Sequence, residues 1–350
     1  MRILLINHEF TTTGASTLLL RLALHLKGAG HVVTVGAINP APGLISQAYA
    51  AADIPLVPRM APADYDVSIA NTVAAASFVI EAGPVLPTIW WLHEAEIGLA
   101  ILLHHPEQLR AFQLASAVVF QTDFQLNDVY RSFTYALERR RLHVFPNGIE
   151  VEDRAPGDRI PPKRGVLRVV SAGTVSPRKR PGDVIEAVAR LRKRLDVELV
   201  ICGALEGGID AKAERTIAAH PGRIQLTGEV DRPECLAWIA SADIFCLASD
   251  SESHPVTVME AGRLGRPLVL SDLRCYAGEY RHGVNCLLFP VGDVELLSHA
   301  LGALAADPAR RERLGEAARS TAGRSSERAL HARFDALLEE TMALRLRQDP

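Results

Sequence analysis

Short apolar runs alternate along this chain with longer stretches whose apolar residues recur at helical spacing. Ile3 to Ile6 is the first run, and a loop from Asn7 to Gly14 leads from it into a predicted helix, Ser16 to Gly28. The pattern repeats through Gly30 to Val35, Val67 to Ala70, Thr88 to Leu92 and Ala117 to Gln121. Val144 to Pro146 then ends in an Asn147-Gly148 turn. The next stretch, EVEDRAPGDRIPPKRG, is polar and proline-rich and has no usable periodicity, so it reads as an interdomain linker. After it the alternation starts afresh, with strands expected at Leu167 to Ser171, Glu198 to Cys202, Ile224 to Thr227, Ile244 to Leu247 and Pro267 to Leu270. Strands separated by helices form parallel βαβ units. The expectation is therefore an α/β protein of two Rossmann-like, doubly wound domains facing each other across a cleft, where ligands of open sheets bind at the strands' carboxyl ends. The boundaries read as 1–155, 156–325 and a C-terminal helix, 326–350.

One stretch concentrates candidate chemistry. Residues 248–270, ASDSESHPVTVMEAGRLGRPLVL, leave a buried strand, pass through a loop and enter a short helix. Pro255 suits a first helical position, because its missing N–H would have no partner there. The amides of Val256 and Thr257 are then free donors at the positive end of a helix, a site for phosphate. Glu252 stands just before this helix and Glu260 one turn beyond Val256, with seven residues between the two acids. Carboxylates accept bidentate hydrogen bonds, so Glu260 can grip a vicinal diol such as a ribose and Glu252 a sugar hydroxyl. On spacing alone, the same residues also fit a solvated surface helix.

Two further loops follow expected strands in this half. One carries Arg178, Lys179 and Arg180, where an ammonium can meet a diphosphate or simply be solvated. In the other, Gly228 to Val230 can offer backbone atoms to a base edge, or be a plain turn. The first half holds Gly14 just before a helix, where backbone can approach a ligand. It also holds His93 one residue past a strand, with Glu94 and Glu96 close by; a histidine capping the strand end fits equally.

Composition narrows the picture. The chain has 350 residues, enough for two domains, and a net charge of -3, which gives no global argument for nucleic acid. No apolar run approaches the ~20 residues of a membrane span, and MRILLIN enters a strand without the pattern of a signal peptide. The five cysteines form no CxxC pair, which fits a reducing cytoplasm. His104-His105 lacks metal-ligand spacing and there is no DxD motif, so a catalytic metal is not expected. The basic run Arg139 to Arg141 fits either a solvated helix end or peripheral contact with anionic lipid at the inner face of a membrane.

The run from Leu226 to Asp293 resembles the C-terminal signature of the retaining GT-B glycosyltransferases of family four. That family's pattern of Glu, seven residues, then Glu-Ala falls on Glu252, Glu260 and Ala261. The resemblance implies a metal-independent hexosyltransferase that uses a UDP- or GDP-linked sugar as substrate and needs no cofactor. Its acceptor would be a glycan, a lipid-linked sugar or a small molecule, in polysaccharide or glycoconjugate synthesis. It implies that Lys179 binds the diphosphate, that His93 contacts the donor sugar, that Gly14 borders the diphosphate and acceptor, and that the final helix packs across the first domain. His93, Lys179 and Glu252 are then the expected catalytic residues, and Gly14, Arg178, Lys179, Val230, Val256, Thr257 and Glu260 the donor-binding set. The chain departs from the family at Ser253, His254 and Cys286, and at Thr174, where the family has an arginine that Arg178 or Arg180 can replace. The departures at Ser253, His254 and Thr174 leave open an inactive nucleotide-sugar-binding homologue, and a sugar-nucleotide epimerase of the same architecture is a further alternative.

Overall fold

A computed structural model describes residues 1–151, 160–163 and 165–348, the last three without their side chains. The linker and the 155/156 boundary expected from sequence fall largely outside the described residues. The chain divides into two compact units, one of residues 1–148 and 325–350, the other of residues 149–324.

The first unit runs β1 (Arg2–Asn7), α1 (Gly14–Gly28), β2 (Val32–Ala37), α2 (Leu44–Ala51), β3 (Val67–Asn71), α3 (Ala76–Ala82), β4 (Thr88–Trp91), α4 (Glu96–His104), α5 (Ala111–Leu114), β5 (Ala117–Phe120), α6 (Arg131–Thr134) and β6 (Leu142–Val144). Among the described residues its sheet has six strands, all parallel, in the order β2-β1-β3-β4-β5-β6. β2 begins two residues later than the apolar pattern suggested, because Gly30 takes φ 86 and closes the turn after α1. Strands buried on both faces have a continuous apolar run rather than an alternation, as Ile3 to Ile6 shows.

The second unit runs β7 (Leu167–Ala172), α7 (Pro181–Leu191), β8 (Val197–Cys202), α8 (Ala211–Ala218), β9 (Ile224–Leu226), α9 (Arg232–Ser241), β10 (Ile244–Leu247), α10 (Val256–Arg263), β11 (Leu268–Ser271), β12 (Leu287–Phe289), α11 (Val294–Ala306) and α12 (Pro308–Ala322). Its six described strands are also parallel, in the order β12-β11-β10-β7-β8-β9. β12 is a three-residue edge strand, too short for periodicity to flag. The core joins Val169, Leu199 and Ile244 of the strands to Ile185 and Val188 of α7 and Leu301 of α11. Cys202 and Cys246 are wholly buried free thiols, and Cys246 belongs to that core as a small hydrophobe.

The chain returns to the first unit in α13 (Glu327–Gln348). Glu327 pairs with Arg21 at 3.0 Å, Asp335 with His25 at 2.9 Å, and the Phe334 ring lies 4.7 Å from that of Trp91. A Cβ on Gly148 would stand 2.2 Å from the Ser326 carbonyl oxygen, so only glycine lets the two segments cross.

Candidate active site

In the second sheet the strand order reverses between β7 and β10, the switch point at which open α/β sheets bind ligands. The loops leaving these strands, together with α10, carry most of the residues singled out from sequence. Gly173 takes φ 131 and donates its amide to Cys202 O at 2.9 Å, while Val175 donates to Ala204 O at 2.8 Å. The loop after β8 donates on through Gly203 N–H to Gly228 O at 3.1 Å. A Cβ on Gly203 would stand 2.2 Å from Gly173 O, so glycine is needed for loops so close. The turn Gly228 to Val230 is thus stitched to the loops after β7 and β8, and Val230 is half-buried.

The β7 loop then brings its cations to the loop after β10. Lys179 Nζ donates to Glu252 Oε1 at 2.5 Å, Arg178 Nη1 reaches the same oxygen at 3.2 Å, and Ser249 Oγ donates to it at 2.6 Å. Arg178 also donates to Ser251 O at 2.5 Å. Burial by itself would raise the Glu252 pKa, but Lys179, Arg178 and these hydrogen bonds hold it below the usual carboxylate value. Burial depresses the Lys179 pKa, and the Glu252 carboxylate offsets part of that effect. The cations thus favour the ionised form of the buried Glu252 carboxylate. Arg180 takes φ 47 and turns away to Asp183 at 2.6 Å and Asp250 at 3.2 Å. Of the two arginines left open by the sequence, Arg178 is the one beside Lys179 and Glu252.

Pro255 is the N-cap of α10, not its first helical residue as expected, with φ -68 and ψ 118. Its carbonyl accepts from Val258 and Met259, so the amides of Val256 and Thr257 lie in the first turn, where helix geometry leaves donors without intrahelical partners. Thr257 Oγ1 donates to Ala172 O at 3.1 Å and fixes this turn against the end of β7. Glu260 is 4% exposed, and its Oε1 already holds Arg232, with Nε at 3.1 Å and Nη2 at 3.0 Å. Sequence reasoning missed Arg232, whose only signal was its place at the start of α9 after the Gly228 loop. Ser253 and His254 are buried, and His254 Nε2 is 3.2 Å from Glu279 Oε2.

Gly14 and His93 lie in the first unit. Gly14 is the exposed first residue of α1, behind the N-cap Thr13, whose Oγ1 accepts from Ser16 N–H at 3.3 Å. Here the strand order reverses between β1 and β3, and Thr72, just past β3, holds φ 74, a strained value for a β-branched residue. His93 follows β4. Its ring lies 4.4 Å from that of Trp91, its Nδ1 meets Gln121 Nε2, and its Nε2 is buried without a protein partner among the described residues. Burial, with a smaller effect of His8, pushes its pKa down to about 3, so the imidazole is neutral. Arg139 to Arg141 form a turn into β6, not a helix end. Arg141 donates to the carbonyls of Phe112, Gln113 and Ala115 at the end of α5, and Arg140 pairs with Glu138.

A family model described as glycosyl-transferase family 4 matches residues 1–121, and one described as glycosyl transferases group 1 matches residues 159–321. The chain belongs to glycosyltransferase family 4. The D-inositol 3-phosphate glycosyltransferase of Kribbella flavida is 30% identical over 223 residues, 59% of this chain and 52% of the relative. The phosphatidyl-myo-inositol mannosyltransferase of Mycobacterium leprae is 28% identical over 173 residues, 48% of this chain and 46% of the relative. This family 4 chain thus spans about half the length of the curated relatives it matches. Its fold is that of HepE from Anabaena, solved with UDP-glucose, at a TM-score of 0.81 and 19% identity over 97% of this chain and all of that one. WaaG, a glycosyltransferase involved in lipopolysaccharide biosynthesis, matches at 0.73 with 17% identity, over 95% of this chain and 98% of its own. The GT-B class expected from sequence is therefore the fold of this family 4 chain. No described helix is long and apolar enough to cross a membrane.

Proposed function

We propose that this protein transfers a hexose from a nucleotide diphosphate sugar to an acceptor hydroxyl, with retention of anomeric configuration and without a metal. The observation that carries the reading is the meeting of Lys179, Arg178 and Glu252 at the switch point of the second sheet, beside the first turn of α10. Two cations and oriented amides suit a leaving diphosphate, and preorganised donors of this kind are each worth ~100-fold or more in rate. In the reaction the bond from the anomeric carbon to the diphosphate oxygen breaks. The acceptor oxygen attacks on the same face, and its proton passes to the departing phosphate. Glu260, steadied by Arg232, takes the ribose hydroxyls, the Gly228–Val230 backbone reads the base, and Glu252 Oε2 is left for a sugar hydroxyl. His93 donates to the hexose from Nε2, and Gly14 allows close approach at the start of α1.

The complexes of HepE with UDP and UDP-glucose support a UDP-linked hexose as the first donor to try. The names of the curated relatives support a cyclitol phosphate or a lipid carrying one as the first acceptor to try.

The test is incubation with UDP-, GDP- and ADP-hexoses, with and without such acceptors, reading free diphosphate, glycosylated product and epimerised donor separately. Acceptor-dependent release of nucleotide diphosphate is the expected result. Epimerised donor without acceptor, or tight nucleotide binding without turnover, would overturn it.

A further inference from the structure

His93 is held by two glutamines that the sequence pattern did not distinguish. Gln125 is wholly buried in a π-helical turn, residues Gln125–Val129, a distortion that recurs at functional sites. Its Oε1 accepts from Gln121 N–H at 2.7 Å, and its Nε2 donates to Leu92 O at 3.3 Å and Glu94 O at 2.7 Å. Since only the NH₂ end of an amide can serve two carbonyls, the orientation of this side chain is fixed by its partners. Gln125 thereby ties the end of β5 to both residues flanking His93. Tyr130 adds a hydroxyl donor to Glu94 O at 3.0 Å.

Gln121, placed by that clamp, is 2% exposed and spends its NH₂ on Asn147 Oδ1 at 3.0 Å and on His93 Nδ1. In this orientation the Gln121 NH₂, which has no lone pair to offer, donates and Nδ1 accepts. The single proton of a neutral imidazole then sits on Nε2, the atom that is buried without a protein partner among the described residues. Leaving a buried donor unpaired is costly, and such an atom in a native fold calls for an explanation.

We propose that Gln121 is a positioning residue: it holds His93 in the Nε2-protonated form, so that Nε2–H is presented to an oxygen acceptor, a hydroxyl of the sugar substrate. The inference rests on the reading of His93 given above and deepens it. The titratable groups facing the ring among the described residues are His8, which pairs with Glu9 at 3.2 Å, and Glu94, whose carboxylate accepts the His93 amide at 3.2 Å. Gln121 and Asn147 are neutral. Trp91 fixes the plane of the ring from one side.

The test uses the full-length protein with ¹⁵N-labelled histidine, reading the His93 tautomer by NMR and turnover against pH. The wild type is expected to show Nε2–H and no titration of His93 between about pH 5 and pH 9. Gln121→Glu replaces the donor with an acceptor. It should move the proton to Nδ1, raise the His93 pKa toward neutrality, and cut kcat about ten-fold or more at high pH with little change in KM for the donor. As pH falls, imidazolium restores Nε2–H, so this variant alone should regain activity toward acid. Gln121→Leu, which neither donates nor accepts, should keep more activity than Gln121→Glu; a role confined to packing predicts equal losses. Finding Nδ1–H in the wild type, or equal and pH-independent losses in the two variants, overturns the proposal. If His93→Ala itself turns over normally, the reading of the site fails; if it is slow while Gln121→Glu is not, only this inference fails.

Discussion

Lys179 Nζ and Glu252 Oε1 lie 2.5 Å apart, from loops 73 residues apart in sequence that leave neighbouring strands of the second sheet. Removing one member of such a pair strands a buried charge, which typically costs about 3–5 kcal/mol. Lys179→Met and Glu252→Gln should each lower the melting temperature, and the double variant should lose less than the sum, because the two share one interaction. Lys179→Met should also reduce turnover about 100-fold at saturating donor. Additive stability losses, or normal turnover in Lys179→Met, would count against the pair.

The pair also sets a pH limit. The folded-state pKa of Glu252 is depressed, so its contribution is complete above the ordinary value of 4.5 and is lost as pH falls through the lower folded value. Acid unfolding of the wild type should be steeper than that of Glu252→Gln as pH falls from 4.5 to that lower value, as followed by circular dichroism.

Glu260→Ala should weaken nucleotide diphosphate binding by about 1–3 kcal/mol, the loss of charge-assisted hydrogen bonds to a ribose. Arg232→Ala should weaken it as well, by freeing the carboxylate that Arg232 orients. Calorimetry of UDP on folded variants is the measurement, and an unchanged Kd in Glu260→Ala sinks the assignment.

His93 predicts a second pH effect. Its folded pKa is about 3 against 6.5 when exposed, so the unfolded chain binds the proton more tightly. The resulting penalty is absent above pH 6.5 and grows as pH falls toward about 3. His93→Gln should remove its share of that slope from the urea midpoint, leaving the contributions of His331, whose pKa burial lowers to about 4, of His31 and His143, which burial also lowers, and of Glu252.

On the proposed mechanism, in which Lys179, Arg178 and the α10 amides supply the positive potential at the diphosphate, turnover should persist in excess EDTA. Loss of activity in EDTA with recovery in magnesium or manganese would refute the mechanism.

The alternation of apolar runs and helical patterns, the restart near Leu167 and the Glu252–Glu260 spacing were all legible in the sequence, because each is a property of residues close along the chain. Backbone periodicity and helix geometry act over a few residues, so a local pattern carries them. The strand orders are different in kind. That β7 lies beside β10, and so brings Lys179 to Glu252, depends on pairing across more than seventy residues. The same holds for the choice of Arg178 over Arg180, since all three cations of the loop look alike until Asp183 and Asp250 draw Arg180 away. Arg232 and Gln121 carried no motif and acquire their partners, Glu260 and His93, only when separate strands and helices converge. Sequence spacing fixed which residues could bear charge or donate a hydrogen bond; tertiary packing decided which of them meet, because contact between distant segments is set by which sheet edges and helix faces bury each other.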